Sequence, residues 1–410
     1  MGTGIPNKRQ KLAKWNGWGY KDTDFTMDEK KDVYVTGDRY VLSGKCIPDF
    51  RPWFENFTGL DTRYASPAQS WPEMQQKIHK PVICKSFVDE LKQANCFKYL
   101  SFDDEVRLMH SHGHCCQEIY QLRYGKFKRL VDVVIYPDSH DHVEKIVSIA
   151  TKYPEQLTII PYGGGTNVTQ ALLCPENEKR MIVSIDTQEM DRILSVDFES
   201  NTAVIEAGAI GTQEEVDRQQ KIIYDITSKY GGLKAGAEAG SRGYLLTYVI
   251  AYLRDYGFNY YFMAESFETS VPWSNIVPMI KKVEERVKES AKKKGVPSVP
   301  WVSARVTQTY ETGACVYFYY GFIFRGLSDP IKVFSEIESE ARDEILLQGG
   351  SLSHHHGIGK LRREWMNEVV RDQGVDILKG LKQKIDPHNL FGNGNMGLTQ
   401  ADLSISANIE

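Results

Sequence analysis

Three consecutive histidines, His354, His355 and His356, form the sharpest polar feature of the chain. Imidazole exchanges protons near neutral pH, so the run predicts a polar site in which one or two rings hydrogen-bond a substrate or carry a proton. We place the run on a strand, where neighbouring side chains alternate between faces, and we therefore expect no metal ion held by all three rings. The alternative is a surface histidine run near a helix cap.

The residues that follow the histidines predict an anion site. Gly357-Ile358-Gly359-Lys360 is expected to begin a helix, and the free N–H groups at the start of a helix attract anions. Together with the positive charge of Lys360, this helix start would suit the phosphate ester of a substrate.

A second glycine-rich segment follows the apolar run at 157–160, which predicts a buried strand. Glycine allows positive φ and close approach of a ligand, and successive N–H groups in such a turn bind anions. A nucleotide pyrophosphate is the expected ligand, and a plain glycine-rich loop is the alternative. Contiguous glycines without a following Lys-Ser/Thr pair match neither the Rossmann fingerprint nor a P-loop. The segment consists of Pro161, Tyr162, Gly163, Gly164, Gly165, Thr166 and Asn167.

Two further residues are candidates for chemistry. Tyr317 lies in an apolar run that predicts a strand, on which Tyr319 would share its face. A buried tyrosine hydroxyl needs a partner, so Tyr317 is either a core residue or a general acid or base. Arg254 follows an apolar helix segment and is expected either to reach solvent or to hold a carboxylate or phosphate.

The elements that must position these residues alternate between strand and helix from residue 130 onwards. Strands are predicted at 131–136, 157–160, 181–185, 192–196, 202–208, 302–308 and 314–324. Helices are predicted after Pro137, capped by Asp138 or Ser139, at 214–230, 242–256, 276–294 and 329–347, and from 361. The order predicts an α+β fold whose first part binds a nucleotide. The segment from Trp15 to Tyr20 is expected to pack against the rest of the chain, and the one from His110 to Cys116 is expected to be a loop before a strand rather than a metal site.

Composition excludes several classes of protein. Of the 410 residues, 41% are hydrophobic and 25% are charged, which is ordinary for a globular protein of two or three domains. A formal charge of −4 gives no reason to expect nucleic acid as a partner. Seven scattered cysteines favour a reducing compartment over a disulfide framework. We expect no transmembrane helix, no secretory signal and no peroxisomal ending of the Ser-Lys-Leu type.

Four segments resemble motifs of the alkyldihydroxyacetonephosphate synthase family. Members of this family are flavoenzymes of the vanillyl-alcohol-oxidase-type FAD superfamily. They are the glycine loop and the segments at 243–252, 306–310 and 351–357. The resemblance implies that residues 161–167 bind the FAD diphosphate, that Tyr317 is the acid/base, that Arg254 contacts substrate and that His354, His355 and His356 are needed for activity. A substrate that carries a phosphate also agrees with the proposed role of Lys360.

The resemblance further implies a reaction and its setting. The family exchanges the acyl chain of acyl-dihydroxyacetone phosphate for a fatty alcohol, on FAD and without net redox change, in the synthesis of ether lipids such as plasmalogens. Its members are peroxisomal, usually dimeric, and associate peripherally with the membrane. Another FAD-linked oxidoreductase, such as a 2-hydroxy-acid dehydrogenase, is the alternative activity.

The chain departs from the family pattern after Gly208. At 209–213 it leads directly into a segment that resembles the start of the substrate domain, so a segment of about domain size is expected to be absent. The predicted organisation is an N-terminal aromatic and helical region (1–128), a partial FAD-binding domain of the PCMH type (129–213), a cap domain (214–330) and a C-terminal segment with the histidines (331–410). An incomplete or spliced gene product and a divergent member both remain open, and either one could be catalytically impaired.

Overall fold

The computed structural model describes residues 12–197, 202–205 and 251–398, together with the isolated positions 224, 228, 229, 236 and 249. Most of the predicted helices at 214–230 and 242–256 and all of the junction at 209–213 lie outside these residues. The α+β class is confirmed. The domain boundaries stay predictions.

The N-terminal region contains more regular structure than its sequence indicates. A small antiparallel sheet is followed by five short helices and the first strand of the next sheet. These elements are β1 (Phe25–Met27), β2 (Val33–Val35), β3 (Cys46–Ile47), α1 (Phe50–Thr58), α2 (Trp71–Gln75), α3 (Lys85–Ala94), β4 (Tyr99–Ser101), α4 (Asp104–Met109) and α5 (Cys116–Arg123). The loop that begins at His110 therefore leads into helix α5, which the sequence did not predict, before the chain reaches the next strand.

A four-stranded mixed sheet, with the order β4-β5-β7-β6, carries the glycine loop. The strands β5, β7 and β6 are parallel, and β4 is an antiparallel edge strand. The hydroxyl of Ser139, one of the two predicted caps, accepts a hydrogen bond from the N–H of His142 and so caps α6. The elements are β5 (Val133–Tyr136), α6 (His140–Ala150), β6 (Leu157–Tyr162) and β7 (Met181–Asp186), and a hairpin of β8 (Ile193–Asp197) and β9 (Thr202–Ile205) follows.

A second sheet is antiparallel, with β12 between β10 and β11. Helices α7 and α8 cover one face, where Phe267, Phe318 and Phe334 belong to the largest apolar core. The side chain of Asp329 caps α8, and Pro330 occupies its first turn, as predicted. The elements are β10 (Phe262–Pro272), α7 (Ile276–Lys293), β11 (Trp301–Thr309), β12 (Gly313–Ile323), α8 (Pro330–Leu347) and α9 (Met366–Ile385).

The segment from Trp15 to Tyr20 packs against helical residues 251–258. The N–H of Trp18 donates to the carboxylate of Asp255 at 2.7 Å, and the N–H of Tyr20 donates to the hydroxyl of Tyr252 at 2.8 Å. A Cβ at Gly17 would lie 2.3 Å from the same Asp255 carboxylate, so glycine permits this close approach. The predicted packing role is confirmed. No helix among the described residues is both long and apolar enough to cross a membrane.

A buried ion pair ties the start of the mixed sheet together. Arg129 and Asp132 are 7% and 0% exposed, and their nearest charged atoms are 2.5 Å apart. The carboxylate of Asp132 also accepts hydrogen bonds from the N–H groups of Val82 and Ile182, at 2.8 and 2.7 Å. Removing the carboxylate would leave a buried guanidinium and two N–H groups without their acceptor.

We therefore expect Asp132→Ala to lower the free energy of unfolding by about 3 to 5 kcal/mol. Urea unfolding followed by circular dichroism measures this loss. The control is Glu176→Ala, which removes the exposed Lys128–Glu176 pair, and it should cost less than about 1 kcal/mol. Equal losses in the two variants would contradict the role of the buried pair.

Candidate active site

The face of the second sheet that α7 and α8 leave open carries the candidate acid/base. Tyr317 lies in the central strand and pairs with Glu268 of β10 and with Arg305 of β11. Paired residues of neighbouring strands share a face, so these three side chains lie side by side. Tyr319, two residues further along β12, stacks on Tyr317 with ring centroids 6.1 Å apart. The predicted shared face of the two tyrosines is confirmed.

Glu268 holds the histidine segment in place. Its carboxylate accepts hydrogen bonds from the N–H groups of His354 (2.5 Å) and His356 (3.0 Å) and from the hydroxyl of Ser353 (2.8 Å). The segment forms a series of bends over Glu268, so the predicted strand at the histidines is wrong. The physical reason is that its N–H groups bond to a side chain instead of a neighbouring strand.

The charge state of Glu268 follows from the same contacts. Burial favours the neutral acid, but the backbone hydrogen bonds, the hydroxyl of Ser353 and the positive charge of Arg362 outweigh it and hold the pKa of Glu268 at about 2. Arg362 itself donates to Ser353 Oγ at 2.7 Å and to the carbonyl of Gly357 at 2.8 Å. The loop is therefore built around a buried carboxylate that is ionised at neutral pH.

The loop brings the predicted catalytic residues together. The hydroxyl of Tyr317 is 2.7 Å from Nε2 of His355 and 3.1 Å from Nε2 of His356. Nε2 of His354 is 2.7 Å from the hydroxyl of Tyr310, and the Nδ1 atoms of His354 and His355 are 2.8 Å apart. A continuous chain of hydrogen bonds thus runs from the half-exposed Tyr310 through His354 and His355 to Tyr317.

Burial sets the protonation of the central pair. It raises the pKa of Tyr317 to about 12, helped by the negative charge of Glu268, so the hydroxyl keeps its proton at neutral pH. Burial also lowers the pKa of His356 to about 4, against the opposing effect of Glu268, so this ring is neutral. A protonated phenol thus lies beside a neutral imidazole, which is a donor–acceptor pair suited to proton transfer.

Arg254, in the helical residues 251–258, is buried beside two acids. Its Nη1 donates to the carbonyl of His114 at 2.5 Å, and its charged nitrogens lie 3.7 Å from Asp255 and 4.0 Å from Glu265. Its Nε and Nη2 make no hydrogen bond to any described residue. Donors left over on a buried guanidinium suit an anionic group such as a phosphate.

A cavity of about 310 Å³ connects Arg254 to the open face of the sheet. Its walls are mainly apolar and aromatic, and Tyr319 at its edge stacks on Tyr317. Apolar walls with a few convergent polar groups are typical of small-molecule sites. The lining includes Trp53, Phe54, Phe57, Phe262, Trp301, Tyr319, Arg254 and Glu265.

The structure gives Lys360 other partners than the predicted phosphate. Its ammonium donates to the carbonyls of Gln170 (3.1 Å) and Ala171 (3.4 Å) and to the side chains of Asn393 and Asn395. Burial lowers its pKa to about 8. The predicted helix start at 357–360 is wrong, because these residues form turns and α9 begins only at Met366. Lys360 therefore joins the C-terminal segment to the residues after the glycine loop.

The glycine loop extends from the carboxyl ends of the parallel strands, where α/β sheets bind ligands. Gly163 and Gly164 are exposed, and a Cβ built at Gly163 would meet nothing within 4 Å. Gly165 has a φ of +72°, and a Cβ there would lie 2.2 Å from the hydroxyl of Tyr162, so this position requires glycine. A cavity of about 290 Å³ adjoins the loop and is lined by residues that include Trp18, His112, His114, Tyr162, Gly164 and Thr166.

The far end of the loop is fixed by the segment before α5. The carbonyl of Asn167 accepts a hydrogen bond from the N–H of His114 at 2.6 Å. The side-chain oxygen of Asn167 accepts from the N–H groups of Thr169 and Ala171. A Cβ at Gly113 would lie 2.2 Å from the Asn167 carbonyl oxygen. The position of the loop therefore depends on this close approach of two backbones.

Two family models match this chain. The model for FAD linked oxidases, C-terminal domain, matches residues 184–396, and the model for the FAD binding domain matches residues 131–224. The chain belongs to the FAD-linked oxidases. The first match spans the open sheet face and the histidine loop, and the second spans the glycine loop.

This FAD-linked oxidase is similar over nearly its whole length to alkyldihydroxyacetonephosphate synthases. It is 29% identical to the synthase of Caenorhabditis elegans, with 95% of this chain and 96% of that protein covered. It is 20% identical to the synthase of Trypanosoma brucei brucei, with 93% and 92% covered. A solved structure of an alkyldihydroxyacetonephosphate synthase superposes with a TM-score of 0.72 at 18% identity, over 94% of this chain and 99% of that one, and it confirms the fold.

The alignment with the nematode synthase is longer than this chain. It extends over 578 positions, whereas the FAD-linked oxidase described here has 410 residues. Positions therefore exist in the alignment at which this chain has no residue.

FAD is the cofactor of this family, and the residues around the glycine loop fit part of it. Exposed glycines with open space above Gly163 leave room for a diphosphate, and the adjoining cavity is at the low end of the volumes of ligand sites. Gly163, Gly164 and Thr166 are the residues that would hold the diphosphate. Pro161 and Asn167 instead shape the loop, because Pro161 pairs with Ile185 in the sheet and Asn167 bonds to neighbouring backbone.

Sequence reasoning missed the residue that organises the site. Glu268 lies in β10, an eleven-residue strand that was not predicted. Met263, Phe267 and Val271 recur every four residues, a spacing that fits a helix as well as a strand, so the local pattern did not identify β10. Arg362 was also missed, since nothing in its local sequence indicates a buried position.

The pKa of Glu265 leads to a prediction about stability. Burial raises this pKa to about 7, although the charge of Arg254 opposes the shift. Between pH 4.5 and 7 the folded carboxyl keeps a proton that the unfolded one has lost, so the free energy of unfolding falls as pH rises. The free energy of unfolding of the unsubstituted protein should therefore fall between pH 4.5 and pH 7 by roughly 3 kcal/mol more than that of Glu265→Gln. Urea unfolding at pH 4.5 and at pH 7 measures the difference. The control Glu285→Gln, at an exposed position, should leave the decline unchanged, and a full decline in Glu265→Gln would contradict the assignment.

A second prediction concerns the glycine loop. Gly113→Ala places a methyl group against the Asn167 carbonyl, so the loop must shift and FAD binding should weaken by about tenfold or more. Fluorescence titration of the purified protein with FAD measures the change. Gly380→Ala is the control, since nothing lies within 4 Å of a Cβ at that position. Unchanged FAD affinity in Gly113→Ala would show that the loop does not depend on this contact.

Proposed function

We propose that this FAD-linked oxidase exchanges the acyl chain of acyl-dihydroxyacetone phosphate for a fatty alcohol, giving the ether lipid precursor alkyl-dihydroxyacetone phosphate. The observation that carries this proposal is the hydroxyl of Tyr317, hydrogen-bonded to two histidines on the sheet face that also borders an aromatic cavity. The whole-length similarity to alkyldihydroxyacetonephosphate synthases supports it.

The two ends of the substrate match two kinds of residue. Trp53, Phe57 and Trp301 in the cavity wall offer apolar surface to a long alkyl or acyl chain. Nε and Nη2 of Arg254 offer charge-assisted hydrogen bonds to the phosphate. A substrate that is both a lipid and a phosphate ester thus satisfies both features.

Proton transfer is the part assigned to Tyr317 and the histidines. In the exchange, the bond between the carbon of the dihydroxyacetone unit and the acyl oxygen breaks, and the acyl group leaves as a fatty acid. A bond from the same carbon to the alcohol oxygen forms, and the alcohol proton is transferred, in the balance, to the departing carboxylate. Tyr317 passes protons to and from this carbon or its oxygens, with His355 and His356 as the acceptors within reach. Bound FAD supplies the electrophilic ring, and no net redox change results.

A second candidate is a catalytically impaired member of the family. The 578-position alignment with a longer synthase favours it, because part of the FAD wall could belong to the positions that this chain lacks. A peroxisomal location, a homodimer and peripheral membrane association are proposed on the resemblance alone.

The test starts from the absorption spectrum of the purified chain and an assay for alkyl transfer from fatty alcohol. The proposal predicts a yellow, active protein in which Tyr317→Phe lowers the rate by about 100-fold or more. Tyr64→Phe is the control, because Tyr64 is exposed and lies outside both cavities and the histidine loop, and its rate should stay within a few-fold. A colourless, inactive protein would favour the impaired member, and a yellow protein that reduces an acceptor with a 2-hydroxy acid would overturn the proposal.

A further inference from the structure

A cluster of possible metal ligands lies beside the proposed acid/base. Cys315 precedes Tyr317 by two residues on β12 and therefore shares its face of the sheet. Ligand atoms of Cys315, His354 and His355 all lie within 4.8 Å of one another. Cys315 is a free thiol, and its side chain is buried while His355 is exposed, so the cluster opens to solvent on one side.

The contact between the two rings favours a cation. The Nδ1 atoms of His354 and His355 are 2.8 Å apart, and two neutral rings at that distance share a single proton. A divalent ion could replace this proton and bind both Nδ1 atoms. The Nε2 atoms would then carry hydrogens, and each already faces a hydroxyl oxygen at 2.7 Å, that of Tyr310 or that of Tyr317. Donation from the second nitrogen to an oxygen is how metal-bound imidazoles are usually oriented.

The strand geometry that argues against a metal at three consecutive histidines does not apply here. The loop consists of bends held by Glu268, which turn two neighbouring rings towards each other. The third ligand is Cys315, from a distant part of the sequence, rather than His356.

We propose that Cys315, His354 and His355 bind Zn²⁺ or a similar divalent transition metal, and that the bound ion inhibits the enzyme. Sulfur and imidazole ligands select such ions over Mg²⁺ and Ca²⁺. A tetrahedral ion requires the two Nδ1 atoms to separate to about 3.3 Å, and it leaves a fourth position for water. With the metal in place, the Nε2–H of His355 donates to the Tyr317 oxygen, so only His356 of the two neighbouring rings is left to accept the Tyr317 proton, and the exchange slows. The inhibition rests on the proposed function, whereas the binding does not.

Cobalt binding tests the site without any assay of activity. The full chain, treated with EDTA and dialysed, is titrated with Co²⁺ and followed by visible absorption. The site predicts one equivalent of Co²⁺, intense tetrahedral ligand-field bands and a thiolate charge-transfer band. Cys315→Ser should abolish the charge-transfer band and weaken binding at least tenfold, while the control Cys46→Ser, at an exposed cysteine, should leave both unchanged.

A second variant, His354→Gln, keeps the test valid if Cys315→Ser fails to fold. His354→Gln, checked by circular dichroism, should retain the charge-transfer band but shift the ligand-field bands and weaken binding. Weak octahedral bands in the unsubstituted chain, or a charge-transfer band that survives in Cys315→Ser and disappears in Cys46→Ser, would overturn the site.

Inhibition is tested separately on any active preparation. Zn²⁺ should lower the rate of alkyl transfer, EDTA should restore it, and Cys315→Ser should require at least tenfold more Zn²⁺. Thiolate-bound Co²⁺ together with a rate that Zn²⁺ does not change would overturn the inhibitory role. Failure of the proposed function would instead appear as a chain that lacks transfer activity in the presence of EDTA, and the cobalt spectra would still decide the binding.

Discussion

The buried carboxylate of Glu268 is the interaction on which the candidate site depends. An ionised carboxylate away from water is tolerated only where donors fill its lone pairs, and these donors come from the backbone of the histidine loop, from Ser353 and from Arg362. A loop that moved away would leave this charge unsolvated. The desolvation penalty therefore fixes the loop, and the strand register places Tyr317 directly beside Glu268 and under the rings.

The cavity lined by Tyr319 has mainly apolar walls and one positive charge, that of Arg254. The neighbouring acids neutralise this charge only in part. Arg254 lies near two acids, but burial raises the pKa of Glu265 to about 7, so this acid is partly neutral at physiological pH. The positive charge of Arg254 is therefore neutralised mainly by Asp255, which leaves it able to attract an anion. The same cavity offers aromatic surface beside this charge, so it presents both a polar and an apolar wall.

The parts of the fold that could be predicted from sequence are those with local causes. Strand β6, the cap at Ser139 and helix α8 follow from an apolar run, a hydroxyl and an Asp-Pro pair. The shape of the histidine loop has a distant cause, because its acceptor lies 86 residues away at Glu268. A local sequence pattern carries no information about a hydrogen-bond partner so far away. The helix expected at Lys360 was wrong for the same reason, because Lys360 also bonds to a distant residue, Gln170. The candidate residues could therefore be named from sequence, but the geometry that joins them could not.

The contacts of Lys360 also bear on the order in which parts of the structure form while the polypeptide is synthesised. Its ammonium joins the C-terminal segment to the carbonyl of Gln170, 190 residues earlier in the chain. Contacts of such long range form late, because a long loop must close before they are gained. Strands β5 to β7 leave the ribosome well before their C-terminal partner and must stay soluble in the meantime. The histidines likewise reach Tyr317 only after the residues that follow β12 have been synthesised.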